Sequence, residues 1–214
     1  MNTLSLASGL NIVSPVERMI AFCREEYDFY DGIAYSDANR IEPLDVLATV
    51  SVNSFINNAT AVRKIQRGLA DKCDSILRII PVESDLLSDN PPLESLSKLL
   101  NAAVSVPDVL VPKATKVLHR KRRSLIPMLD NVVLFFYLDS TGESRKKGQT
   151  QDKRKAAAVA MDVLALFRKD LLKVVDAITA IKQRLCNDGF SLSHVRILEI
   201  LVWTETEPNG YYRS

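Results

Sequence analysis

Apolar residues recur at steps of three and four along most of the chain, the spacing that lines one face of an α-helix. After Ser14-Pro15-Val16-Glu17 they fall at Val16, Met19, Ile20 and Cys23. Ser14 reads as an N-cap, Pro15 as the first helical residue and Glu17 as the partner in a capping box. This helix ends before Asp31-Gly32, and a polar loop runs to about Ile41. Glu42-Pro43 opens a second helix with Leu44, Leu47, Ala48 and Val50 inward, and the Val50–Ile56 stretch reads as helix end plus turn. Asn57-Asn58 caps a third helix to about Leu69, with Ala61, Val62, Ile65 and Leu69 inward and Gly68 near its end. Cys73, Ile76, Leu77 and Ile80 predict a short fourth helix stopped by Pro81.

Pro91-Pro92 precedes a fifth helix, Leu93 to about Val104, with Leu96, Leu99, Leu100 and Ala103 as its stripe. Pro112 opens another over Lys113 to about Arg122. There Ala114, Val117 and Leu118 are expected inside, and Lys113, Lys116, Arg120 and Lys121 outside. Met128 to Leu138 is too apolar for its period to separate strand from helix; its helical surroundings favour a buried helix from near Asp130. From Asp152 a single long helix is predicted, with Val159, Val163, Leu166, Phe167, Leu171, Val174, Val175, Ile178, Ile181 and Leu185 in step. Ser191 or Ser193 caps a last helix through Trp203, stopped by Pro208. No strand pair with a hairpin turn and no fixed repeat is evident. The expected fold class is all-α: about eight helices around one main core, one domain over 1–208, and a loose tail over 209–214.

Composition narrows the chemistry. The seven glycines are dispersed, without GxxxxGK[ST] or GxGxxG, so a phosphate-loop enzyme is excluded. Cys23, Cys73 and Cys186 are odd in number and far apart, with no CxxC and neither His119 nor His194 adjoining them. That pattern fits reduced thiols rather than zinc or disulfides. Glu25, Glu26, Asp28 and Asp31 read as a solvated acidic helix end rather than a metal site. No metal or cofactor is expected. No apolar run approaches the roughly 20 residues of a membrane helix, and no signal peptide is evident, so a cytoplasmic protein is expected.

Charge changes the picture more. The net charge is only +2, yet Lys113 to Arg123 holds six cations and no acid, and Glu143 to Lys155 carries a net +4. Such asymmetry is an electrostatic footprint for polyanions. The expected function is therefore nucleic-acid binding, to DNA or another polyanion, without sequence specificity. Lys113, Lys116, His119, Arg120, Lys121, Arg122 and Arg123 would contact phosphates from the helix, and Arg145, Lys146 and Lys147 from the loop. A second reading, from another class, is a protein–protein module using the same face. A third is an enzyme using Asp130, though a non-enzymatic role is favoured. Asp130 reads as a cap for the next helix, or as a buried carboxylate paired with Arg120 or Arg123.

Two resemblances add to this. Lys116-Val117-Leu118-His119-Arg120-Lys121-Arg122-Arg123, followed by Leu125-Ile126-Pro127 and Asp130, resembles the signature of an uncharacterised bacterial family of unknown function. Val117 stands where that family has leucine, and Arg123 where it has proline. Asp45-Val46-Leu47-Ala48 and Arg196-Ile197-Leu198-Glu199 with Trp203 extend the resemblance over most of the chain, without implying an activity. A weaker similarity is to helix-hairpin-helix DNA glycosylases. Pro107 to Pro112 stands at the hairpin, Lys113-Ala114-Thr115 at the helix start, and Asp130 at the family's catalytic aspartate. The hairpin glycines and a lysine nucleophile are missing, which weakens the implied phosphate binding and base excision more than the implied fold.

Overall fold

The structure, a computed structural model, describes residues 2–140 and 153–206, with side chains in the second stretch from residue 155 onward. Arg145, Lys146 and Lys147, the Asp152 cap and the 209–214 tail lie outside the described residues. Within them the fold is all-α, with nine α-helices and one two-stranded hairpin. The helices are α1 (Pro15–Glu26), α2 (Pro43–Ala48), α3 (Ala59–Leu77), α4 (Leu93–Ser105), α5 (Val111–His119), α6 (Asn131–Ser140), α7 (Lys153–Lys173), α8 (Val175–Asn187) and α9 (His194–Thr206). Short 3₁₀ turns follow α1 at Tyr27–Phe29 and α2 at Thr49–Val52.

One main apolar core takes side chains from all nine helices. α6 and α9 sit deepest. α6 buries every side chain from Val132 to Leu138, which is why its period carried no signal. α9 buries a continuous run from Val195 to Val202, Arg196 and Glu199 included. A helix apolar on all sides is a central helix, and around this pair pack α1, α7 and α8.

Several boundaries differ from expectation, each for a physical reason. The N-terminal segment forms a hairpin, β1 (Thr3–Ser5) with β2 (Asn11–Val13), antiparallel with Leu4 opposite Ile12. Leu4 and Ile12 are buried while their strand neighbours are exposed, a period of two over too few residues to stand out. Ser14 is left-handed (φ 51°) and makes no side-chain cap, so the predicted capping box is absent; Pro15 does occupy the first helical turn. In α2 the capping box joins Glu42 and Asp45. Its buried face is Asp45, Val46 and Ala48, whereas Leu44, Leu47 and Val50 are exposed. The helix is thus turned toward a polar interior partner rather than an apolar one.

The predicted third and fourth helices are the single helix α3, capped by the Asn58 side chain, which accepts from Ala61 N–H at 2.9 Å. Gly68 is not at its end but in mid-helix, facing α4: a Cβ there would lie 2.7 Å from Val106 Cγ1. Conversely, the predicted long C-terminal helix is two. The chain leaves helical geometry at Val174 (φ −114°, ψ 14°), between α7 and α8. The apolar spacing continues across this break, so periodicity did not mark it. Ser193 caps α9, its hydroxyl accepting from Arg196 N–H at 3.1 Å.

The largest correction concerns the basic segment. Lys116, His119, Arg120, Lys121 and Arg122 are buried, not outward-facing. Arg120 and Lys121 both pair with the buried Asp45 carboxylate of α2. Arg120 also donates to the carbonyls of Tyr30 and Ala34, and Lys121 to Ser36 Oγ (2.6 Å) and the Asp37 carbonyl (2.9 Å). Arg122, fully buried, donates to the carbonyls of Leu77, Ile80 and Ala38 and to Asn39 Oδ1. Carbonyls at the end of α3 carry the partial negative charge of a helix C-terminus, a natural seat for a guanidinium. These cations lock the 34–45 loop onto α3 and α5. His119 Nδ1–H donates to the Ile126 carbonyl at 2.6 Å, so the ring serves the turn that brings the chain back to Asp130. Burial holds this imidazole down to about 4, with the nearby Arg196 adding to the effect, and it is neutral at pH 7. Lys113 is half-buried with its amine on the Asp108 carbonyl, and Arg123 is exposed with its guanidinium 4.7 Å from the Tyr35 ring centroid.

Candidate active site

A cavity of about 650 Å³ opens between α1, the Thr49–Val52 turn, α5 and α9, with Asp130 at the head of α6 on its floor. Its walls are apolar and aromatic: Phe22, Phe29, Tyr30, Val52, Met128 and Trp203. Its floor is charged, with Lys116, Asp130, Arg196 and Glu199 side by side. Three separate parts of the chain deliver these groups. Lys116 comes from α5, Asp130 from the turn set by Pro127, and Arg196 and Glu199 from one face of α9, three residues apart and so on adjacent turns.

Arg196 organises the floor. Its Nε and Nη2 donate to Asp31, at 3.0 Å and 2.8 Å for the shortest contacts, and its Nη1 donates to Glu199 Oε2 at 2.5 Å. Burial would lower the guanidinium's pKa, but Asp31 and Glu199 more than offset this and raise it further. It is a permanent cation. Glu199 is the group that can change. Burial pushes it up to about 7 despite the opposing pull of Arg196, and the Asp130 charge adds to the rise. A carboxyl at that value is half ionised at neutral pH, which suits proton transfer in both directions.

Asp130 does cap α6: its Oδ1 accepts from Val133 N–H at 3.0 Å. It does not pair with Arg120 or Arg123, because Arg120 is held by Asp45. The cations near it are Lys116 and Arg196. Burial raises the Asp130 carboxyl, and the Val133 N–H and Lys116 pull against it. Lys116 shows the converse. Burial lowers its ammonium, while Asp130 and Glu199 hold it up. Its Nζ donates to the Val52 carbonyl. Tyr30 fixes the same residue from behind, its hydroxyl donating to the Lys116 carbonyl at 2.6 Å.

Of the residues singled out from sequence, the cavity brings together Asp130 and Lys116. His119, Arg120, Lys121 and Arg122 line no part of it, nor do Lys113 and Arg123. Asp31, Arg196 and Glu199 had not been singled out as a site. Their signal was present: Arg196 and Glu199 are the charged residues of an otherwise apolar stretch, Val195 to Trp203. A charge inside such a run must face a partner or a cavity. Among the described residues no group of histidine, cysteine or acidic side chains is arranged to hold a metal ion, and no helix is long and apolar enough to cross a membrane. Burial pushes the Cys23 and Cys73 thiols up to about 12, which removes them as nucleophiles.

The hairpin between α4 and α5 has Asp108 in the left-handed conformation (φ 63°), with its carboxylate 3.2 Å from Lys64 Nζ. An acidic side chain at this turn opposes a phosphate there. No curated protein and no solved structure matches the chain, so the similarity to glycosylases gains nothing from comparison. The signature around Lys116 to Asp130 is a different matter, since both the buried basic lock and the cavity floor fall inside one matched region. Over residues 17–206 the sequence matches a family of unknown function (DUF6308), and the chain belongs to that family.

Proposed function

We propose that this protein is an enzyme that performs general acid–base chemistry on a small substrate held in the cavity. The observation that carries this reading is the convergence of two carboxyls and two cations on one aromatic-walled cavity. Burying such groups costs several kcal/mol per ion unless each is compensated, and clusters of this kind concentrate at functional sites. Glu199 is the proton-exchanging group. Asp130 is the second carboxylate, facing the same space from the head of α6. Lys116 and Arg196 hold the pair in place electrostatically, and the aromatic walls exclude water from the reacting atoms.

Nucleic-acid contact along Lys113 to Arg123 has less support, because five of the seven side chains are occupied inside the protein. The protein-module reading relied on the same face and weakens with it.

The test is turnover of a panel of chromogenic aryl esters, glycosides, phosphates and anilides by the purified protein. We expect at least one class to be turned over, with an inflection near pH 7. Glu199→Gln should lower the rate by about 10²–10⁴-fold, the usual worth of a general acid or base. No turnover of any class, or turnover unchanged in Glu199→Gln, would refute the reading.

A further inference from the structure

The polar groups around the cavity are unequally engaged. Among the described residues, the three cations that border it are directed at protein acceptors. Arg18 donates to the carbonyls of Val13 and Thr204 and pairs with Glu205. Lys116 is on the Val52 carbonyl, and Arg196 is on Asp31 and Glu199. The acceptors are not matched in this way. Glu199 is only 4% exposed; its Oε2 is taken by Arg196, while its Oε1 has no donor among the described residues and is not sealed off from the cavity. A carboxylate oxygen that opens on a cavity with lone pairs to spare can accept from a bound ligand. Glu25 and Glu26 add two exposed carboxylates at the rim.

The walls point the same way. The Arg196 guanidinium carbon lies 5.4 Å from the Tyr30 ring centroid and 5.6 Å from that of Phe22. These rings already face one planar cation, as aromatic faces do. Trp203 and Phe29 face the cavity without such a partner in the structure.

We propose that the cavity takes a planar organic cation of the amidinium or guanidinium class, with Glu199 Oε1 accepting its N–H and Trp203 and Phe29 flanking its plane. The proposal rests on reading the cavity as the active site, and names the chemical class of its substrate. A planar fork of N–H donors matches a carboxylate and stacks on an aromatic face, whereas an ammonium matches only the first. An anion would meet Glu199, Asp130, Glu25 and Glu26 with no disengaged cation among the described residues that line the cavity.

Trp203 is the chain's single tryptophan, so its fluorescence reports occupancy of this cavity and no other place. The full-length protein is titrated with benzamidine, benzamide and benzoate, which share a ring and differ in charge. Benzamidine should shift the emission saturably, benzamide should bind at least about tenfold more weakly, and benzoate should leave it unchanged. Benzamidine affinity should rise up to about tenfold from pH 6 to pH 8 as Glu199 ionises. The charges facing Glu199 in that range are Arg196, Asp130, Asp31 and Lys116, with Arg18, Glu25 and Glu26 at the rim. Glu199→Gln should remove both the affinity and its pH dependence. Asn53→Asp, which adds a rim carboxylate without touching the buried cluster, should tighten benzamidine about two- to threefold, within the usual range for an exposed charge pair. Benzoate binding more tightly than benzamidine would overturn the cation assignment and leave the acid–base reading intact. Benzamidine binding without turnover of any substrate would refute the enzyme and keep the cation site. No response to any probe would overturn the proposal.

Discussion

Two clusters of buried charge among the described residues are built differently. In the lock formed by Arg120, Lys121 and Arg122, three cations share one ion-paired carboxylate among the described residues, Asp45. The remaining donors end on main-chain carbonyls and side-chain oxygens, and none of the three residues lines the cavity. Around the cavity floor the balance is reversed: Asp130 and Glu199 on the floor, with Asp31 behind Arg196, face Lys116 and Arg196, and one carboxylate oxygen has no donor among the described residues. A set of cations saturated by backbone is a structural fastening. A set of carboxyls in excess of the available donors is a place for chemistry. Richness in charge did not distinguish them; the fraction of polar atoms already satisfied does.

The sharpest way to break this contrast is to remove the central carboxylate from each cluster. Asp45→Asn strips Arg120 and Lys121 of their counter-charge inside the protein, and should destabilise the fold by about 3–5 kcal/mol in denaturant unfolding. It should leave the pH profile of any residual activity unmoved. A loss under about 1 kcal/mol would mean that the lock is not a fastening.

Next in size is a pH effect at the junction of the two regions. His119 is held down to about 4 from an ordinary 6.5. Its folded pKa is depressed, so the unfolded chain binds a proton that the folded protein refuses. Stability from this source is complete above pH 6.5 and is lost as pH falls through 4. The shift corresponds to about 3 kcal/mol at 1.36 kcal/mol per unit. Unfolding free energies measured from pH 7 down to pH 4 should show this loss, and His119→Gln should flatten it.

The smallest loss of stability on substitution is expected at Glu199, despite its burial. Its folded pKa is raised from 4.5 to about 7. Its contribution is therefore complete below pH 4.5 and is lost as pH rises through 7, opposite in sign to that of His119. Replacing it by glutamine leaves Arg196 still paired with Asp31. At pH 8 glutamine relieves about 3 kcal/mol of buried-charge cost, at 1.36 kcal/mol per unit, so Glu199→Gln should not destabilise the fold in the same unfolding curves, while turnover falls by about 10²–10⁴-fold. A loss as large as that of Asp45→Asn would make the two clusters equivalent and undo the comparison.

Most helices were legible because their caps and apolar spacing agree: Pro15, Asn58, Pro91-Pro92 and Ser193 mark starts that the structure retains. What misled was the assumption that cations face water. Lys116, Arg120 and Lys121 fall on inward positions, and only contacts remote in sequence, to Asp45 and to the 30–38 carbonyls, make that burial tolerable. The same remoteness hid the candidate site. Asp31, Asp130 and Glu199 are each separated by dozens of residues, and a one-dimensional pattern shows the outlying charge without its partners. Asp130 was legible as a cap because capping is local.

The link between Lys116 and Arg120 sets a limit on how this chain can change in length. Lys116 belongs to the cavity floor and Arg120 to the lock, one helical turn apart on a continuous backbone. Inserting one residue between them would rotate everything beyond by about 100° and advance it by about 1.5 Å. No rotamer of arginine recovers that displacement while Lys116 keeps its place on the Val52 carbonyl. Insertions and deletions should therefore be absent between positions 116 and 122 in any functional variant, however freely its surface loops vary. A library of random single-codon insertions, selected for folded protein, would display that stretch as a gap.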